Sequence, residues 1–529
     1  MYGKFLLETA TRINQFIMLL LLLMMLQPLN VQPACLGVTE CNCERASDGS
    51  GQIINCRNGD LTAVPTFDLT GSQTQYVELT LAGNRIGSIP GRAFSGLEFR
   101  RLDLSDNPLI HLDSSAFDGV EQGLSELRLT LSSDAEFLTA AISQLTRLRI
   151  LRVAGFTGRQ LPVGALSTLT QLEELALTSG SLAALNVADL NSQRGSLQTL
   201  VLHENQLSAV PTEALCAATM LTTVDLSHNQ ISSLKANVFS GCVNLNAVDL
   251  SNNGLGTGRL DAAAFNGVNS RLQTLKVMSC QLADGDMEAL RQLHAVSNLI
   301  LSYNSIANLP SNIFTRMRSL RQLRLDNNRL QTISRSTFSG VSSSLELLDL
   351  GHNPLSSVPQ DVFSNLNYLH ELRLDGVTTI QLGENSFSRR AVLRTLSVQG
   401  SGVGDRLWSI ISNTERLNSL YASDCAISLI PDFAFRRNAA LQTIDLSSNS
   451  ISSLTQRSMY GLAGSLAVIN FNDNSITTIH QCTFYSFRYL SFFTTTLPCR
   501  VTVMSGFHQE QDVERVFPSH FVHAAEFAL

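Results

Sequence analysis

The sequence is short of charge, almost without lysine, and has a single tryptophan. Of its 529 residues, 15% are Asp, Glu, Lys or Arg, 44% are apolar, and the formal net charge is −7. A chain so apolar and so sparsely charged buries a core, which excludes a disordered protein. The lack of a basic excess removes the electrostatic footing for nucleic acid, so no nucleic-acid partner is inferred. Lysine occurs only at Lys4, Lys235 and Lys276, so nearly all positive charge is arginine. That bias suits planar hydrogen bonding, although codon usage produces it equally well.

Catalytic patterns are missing as well. There is no G-x-S-x-G elbow, no H-E-x-x-H, no phosphate loop and no dinucleotide fingerprint, and the ten histidines form no spaced pair with carboxylates. Gly254, Gly256 and Gly258 fall in a long connection and read as a loop. The expectation is a protein that is not an enzyme and that holds no metal or cofactor. No N-x-S/T acceptor occurs either, which leaves the surface free of N-linked glycan.

Long apolar runs are absent except at the start. Lys4 and Arg12 precede an unbroken apolar run of 11 residues, Phe16 to Leu26, followed by Gln27, Pro28 and the small Ala34. The run is too short for the ~20 residues that span a bilayer, and its flanks are those of a secretory signal peptide over residues 1–34. A retained signal-anchor helix is the alternative. Glu510, Asp512, Glu514, Arg515 and Glu526 interrupt the terminal stretch, which therefore offers neither a spanning helix nor the tail of a lipid anchor. The expected location is secreted and extracellular, with membrane tethering only in a longer form.

What is present is a repeat. The phrase L-x-x-L-x-L-x-x-N-x-L is carried by Leu221, Val224, Leu226, Asn229 and Ile231, then by Leu245, Val248, Leu250, Asn253 and Leu255, and again by Leu320, Leu323, Leu325, Asn328 and Leu330. Its Asn slot falls at 84, 107, 132, 156, 180, 205, 229, 253, 280, 304, 328, 353, 377, 401, 425, 449 and 474, with gaps of 23 to 27 and mostly 24. Asn fills ten of these 17 positions, Cys280 and Cys425 fill two more, and Ser132, Phe156, Gly180, Val377 and Ser401 break the rule. The L-x-L core reads as a short strand with one buried face, which no single repeat covers alone. Stacking the repeats into one parallel sheet does. Nine phenylalanines, among them Phe94, Phe117, Phe239, Phe314 and Phe338, recur ten residues after the slot and form a second apolar column.

These residues resemble the leucine-rich repeat family, specifically its 24-residue extracellular class. The resemblance implies an α/β solenoid: a leucine-rich repeat horseshoe with a concave parallel β-sheet of about 17 repeats and a disulfide-rich N-terminal cap. The resulting division is 1–34 signal peptide, 35–75 cap, 76–480 repeat array, and 481–529 a reduced or aberrant C-terminal cap and tail. The resemblance also implies that the slot Asn bonds backbone groups inside the coil; Cys280 and Cys425 then read as buried free thiols in its place.

Cys35, Cys41, Cys43 and Cys56 form C-x5-C-x-C-x12-C, which alone allows three pairings or a zinc site. In this family the first Cys of such a cap pairs with the third and the second with the fourth. Cys216 and Cys242 lie in the return segments of adjacent repeats, at a spacing that suits a disulfide. Cys482 and Cys499 are candidates to close the C-terminal end, where the family's C-x-C pair and Trp-containing segment are missing.

Function then falls to the exposed face of the sheet, at the positions two, four and six residues before each slot. Two sets stand out there: Arg128 with Arg152, and a mixed-charge patch of Arg324, Asp326, Glu371, Arg373, Asp375 and Tyr421. The many Asp of the L-D-L-S phrase read as structural. The resemblance to Toll-like receptor ectodomains and adhesion solenoids implies an extracellular protein or pathogen-derived ligand, with oligomeric state left open. The alternative is a structural component of the extracellular matrix.

Overall fold

A computed structural model describes residues 35–494, apart from 69–75, 133–138, 257, 357, 379, 389–390 and 485. The expected signal peptide and Cys499 lie outside the described residues. The chain divides into two compact units, Met1–Leu177 and Thr178–Leu529. Both are parallel leucine-rich repeat solenoids, with about 17 turns between them.

The first unit opens on an antiparallel pair, Asn42–Arg45 against Gln52–Asn55. Disulfides Cys35–Cys43 and Cys41–Cys56 hold it. Gln52–Asn55 then runs parallel to Tyr76–Thr80, so the cysteine-rich segment itself supplies the first strand of the ladder. Arg101–Leu109, Glu126–Leu131 and Ile150–Ala154 follow in parallel register. Ile54 and Cys56 are fully buried, so the cap covers apolar side chains that the open end of the array would otherwise expose.

The second unit is more regular. From Thr199–Val201 onward each turn contributes a three-residue strand paired in register with the next, as in Thr223–Asp225 on Ala247–Asp249 and Gln322–Arg324 on Leu347–Asp349. The middle residue of each strand points inward, and Val224, Leu275, Leu323 and Leu372 are at most 1% exposed. Three residues do not hold a strand by themselves. Each is stabilised by the Leu above and below it, at about 1.5–3 kcal/mol per fully buried side chain.

The Asn slot supplies the polar half of the same design. Asn229 donates from Nδ2 to the carbonyl of Leu202 in the preceding turn at 2.9 Å and accepts the Leu207 amide on Oδ1 at 3.0 Å. Asn253, Asn304, Asn328 and Asn353 repeat this pattern at 2.7–3.1 Å. Each turn with Asn in the slot thus closes buried backbone groups of its neighbour. Cys280 and Cys425 are buried free thiols that imitate the donor: their Sγ atoms lie 3.1 Å from the Leu250 carbonyl and 3.0 Å from the Val398 carbonyl.

The missing acceptor changes the turn that follows. Where the slot holds Cys280 or Cys425, and at Gly59, the equivalent place in the cap 25 residues before Asn84, the next Asn accepts two amides, one from that position and one two residues on. The residue between them, Asp60, Gln281 or Ala426, takes a left-handed φ of 55°, 61° or 57°.

A second backbone regularity sits immediately before the slot. In 16 of the 17 repeats that residue has positive φ, Leu131 being the exception. Where it is Gly155 the glycine is required, because a Cβ there would stand 2.4 Å from the Leu131 carbonyl oxygen. On the opposite side from the sheet the phenylalanine column stacks, with Phe314, Phe338, Phe363 and Phe387 in successive contact at 6.1–6.4 Å between ring centres. Phe265 joins it against Phe239 at 6.0 Å. It lies twelve residues after its slot instead of ten, because the repeat from 253 to 280 is three residues longer than usual.

Cys216 and Cys242 are joined. Cys216 sits in the short helix Thr212–Ala217, which shifts its register toward Cys242 in the next turn. Cys482 is exposed and has no disulfide partner among the described residues.

Candidate functional site

The side chains facing out of the strands are not uniformly solvated. Adjacent strands bring them so close that several shade one another, and Asp103, Asp349 and Ser397 are buried although they belong to the outward column. Charges in such positions need partners.

In the first unit they have them. Glu126 accepts from both Arg128 and Arg152 at 2.7 Å, and Arg152 reaches on to Glu174 at 2.6 Å. Asp103 takes the guanidinium of Arg57 at 2.8 Å and the hydroxyl of Ser105 at 2.6 Å. Arg128 and Arg152, singled out from the sequence, are therefore brought together, but through a carboxylate that engages both.

The second unit differs. A groove of about 590 Å³ runs over the ends of the strands, lined by residues four, two and one before the slot in the repeats from Ser227 to Asp375. It contains Arg324, Asp326, Arg373 and Asp375 of the predicted patch and adds Asp249, Lys276 and Asp349. Glu371 and Tyr421 are not part of its lining; Glu371 instead accepts from Arg373 Nε at 2.6 Å. Its rim is made of the left-handed residues before the slot, among them His228, Asn252, Tyr303, Asn327 and His352. Sequence reading missed this row, although its position is fixed relative to every slot.

The groove's charges are unevenly satisfied. Lys276 pairs with Asp249 at 3.1 Å, and Asp326 accepts from Ser302 at 2.6 Å and Asn327 at 2.9 Å. Arg324 Nε is buried and has no hydrogen-bond partner among the described residues. Asp349 is 7% exposed and, among the described residues, accepts only the Gly351 amide, at 3.1 Å. Burial, reinforced by the neighbouring Asp326 charge, pushes its pKa up to about 6. Asp103, at the equivalent place in another repeat, shows why: there, hydrogen bonds from Ser105 and Arg57 outweigh burial and hold the pKa below its ordinary value. The L-D-L-S phrase supplies that serine at Asp103, Asp225 and Asp445, each with a hydroxyl at 2.6–2.7 Å. In the phrase around Asp349 the serine is replaced by Gly351.

Four carboxylates and three cations over seven repeats make a surface of alternating sign, with one guanidinium nitrogen and one carboxylate incompletely satisfied. It offers no metal cluster among the described residues. Side chains arranged in this way are suited to pairing with polar groups of alternating sign.

A leucine rich repeat family model matches residues 195–255, 270–330, 318–379 and 415–465, which include the whole groove. Those segments are leucine-rich repeats. The chain's repeats are similar to trophoblast glycoprotein of Macaca fascicularis, 29% identical over 213 residues covering 32% of this chain and 50% of that one. They are also similar to the leucine-rich repeat-containing protein let-4 of Caenorhabditis elegans, 32% identical over 115 residues, 21% of this chain and 15% of that one. The chain thus spans half or less of the length of these curated relatives. In fold it resembles the Drosophila Toll chain solved in complex with Spatzle, with a TM-score of 0.56 and 21% identity over 83% of this chain and 66% of that one. No helix among the described residues is long and apolar enough to cross a membrane.

Proposed function

We propose that this leucine-rich repeat protein is an extracellular recognition protein that binds a protein ligand in the groove between Ser227 and Asp375. The observation that carries the reading is the pair of incompletely satisfied groups at its centre, Arg324 Nε and Asp349. A surface with a structural role only has reason to satisfy both internally, as the first unit does around Glu126. A ligand bearing a carboxylate and a donor would complete them, and buried charged hydrogen bonds of this kind carry binding energy.

The alternation of sign favours a protein ligand over a polyanion, since Asp249, Asp326, Asp349 and Asp375 would repel one. Three disulfides support an oxidising, extracellular setting. Receptor-like and adhesive roles both use such a groove, whereas a matrix scaffold depends on many weak contacts. Screening the full chain against a library of secreted proteins and ectodomains separates the two classes. The recognition reading expects at least one partner tighter than about 1 μM, and a set of only weaker, interchangeable partners supports the scaffold.

A further inference from the structure

Away from the groove, on the return segments of the repeats at Cys425 and Asn449, two aromatic side chains stand in solvent. Phe433 is 38% exposed and Tyr460 58%, and their rings meet edge to face at 5.1 Å. The Arg457 guanidinium lies over the Phe433 ring at 5.2 Å. Phe433 also has φ +64°, a left-handed conformation that is an outlier for a bulky residue.

The backbone explains the turn but not the side chain. Eight residues after the slot, Arg92, Asn237 and Asn312 adopt the same conformation, and the amides of Arg92, Asn237 and Phe433 each bond a carbonyl of the next repeat at 2.9–3.1 Å. Asn, which tolerates this region, fills the place twice. Phenylalanine there is strained in the backbone and leaves its ring in water, and strain held at an exposed aromatic points to use of the ring.

The charges beside it are unspent. Arg457 has no carboxylate partner among the described residues, and the Asp432 carboxylate is engaged only by the Thr455 hydroxyl. One cation and one anion, neither in a salt bridge among the described residues, thus flank one aromatic pair. Such a patch is self-complementary: a two-fold axis through it packs the Phe433 and Tyr460 rings of two copies together and sets each Arg457 against Asp432 of the other.

We propose that Phe433, Tyr460, Arg457 and Asp432 form a homodimer contact of this chain, independent of the groove. Sedimentation velocity on the full chain from about 1 to 50 μM tests it. The expected result is a reversible dimer that Phe433→Asn weakens by at least about 30-fold without loss of folding, since Asn suits the backbone there. Arg457→Glu weakens it similarly, and adding Asp432→Arg to Arg457→Glu restores it. A monomer throughout, a dimer indifferent to Phe433→Asn, or one that forms only after residues beyond Thr494 are removed overturns the proposal; the last would make the tail the occupant.

Discussion

Cys425 holds its sulfur 3.0 Å from the carbonyl of Val398, the place that the Asn449 amide takes against Ala422, at 2.8 Å, one repeat later. The donor is thus kept where Cys replaces Asn, because the carbonyl it serves is buried there as well. Like Asn84 and Asn304, Asn449 does more than the other slot asparagines, since its Oδ1 accepts two amides, those of Cys425 and Ile427. Asn449→Ala strands two amides and a carbonyl in the core. The expected loss is about 3 kcal/mol or more, measured by denaturant unfolding; a loss under about 1 kcal/mol would mean that water replaces the side chain.

The buried thiols are predicted to be inert. Burial pushes Cys280 up to about 11 from an ordinary 9.0 and raises Cys425 as well. The thiolate is the reactive form, so neither should be alkylated in the folded chain at pH 8, and both should react after unfolding. Because the folded pKa is the higher, the stability that Cys280 contributes is complete below pH 9 and declines as pH rises toward 11. Alkylation followed by mass mapping reads this, and rapid native labelling of Cys280 would contradict it.

The repeats, their number and the Asn ladder were legible in the sequence because a solenoid imposes the same local demand every turn. The cap was legible for the related reason that an open end must be covered, although the pairing of Cys35 with Cys43 came from resemblance and not from spacing. The groove was only half legible. Arg324, Asp326, Arg373 and Asp375 stood out as departures from the consensus, but Asp349 was hidden inside the L-D-L-S-like phrase that makes most Asp structural. Its difference lies in one neighbour, Gly351 for Ser, and in a burial that only stacked strands produce. Phe433 was invisible for a similar reason, since nothing in the repeat pattern reports φ.

Asp349 gives a pH test. Its folded pKa, about 6, lies above the ordinary 3.8, so the folded state binds the proton more tightly and this group's contribution to stability falls as pH rises from about 4 to about 6. Asp349→Asn keeps an oxygen for the Gly351 amide and removes the charge. It is predicted to stabilise the fold at pH 7, by up to about 3 kcal/mol, and to change little below pH 4. Thermal unfolding at both pH values checks this; equal effects at the two would contradict it.

Gly351→Ser should act on the same group by restoring the missing hydroxyl. A Cβ at Gly351 would lie 3.3 Å from both Asp349 Oδ1 and the Asp375 carbonyl, close but tolerable at a φ outside the left-handed region. The Asp349 pKa is expected to drop toward the ordinary range, read by NMR titration of the carboxyl carbon. A pKa that stays near 6 would show that burial and the Asp326 charge, and not the lost hydrogen bond, set it.

The groove account is tested most directly by the affinity of the tightest extracellular partner for Arg324→Ala, Asp349→Ala and Arg373→Ala combined in one chain. Removing the central charges is predicted to raise Kd by at least about 30-fold while the melting temperature stays within a few degrees, since these residues lie outside the apolar core. Leu323→Ala, a core truncation expected to cost about 2–5 kcal/mol, marks what general destabilisation does to the same measurement. An unchanged Kd in a folded triple variant would contradict the assignment of the groove as the recognition surface.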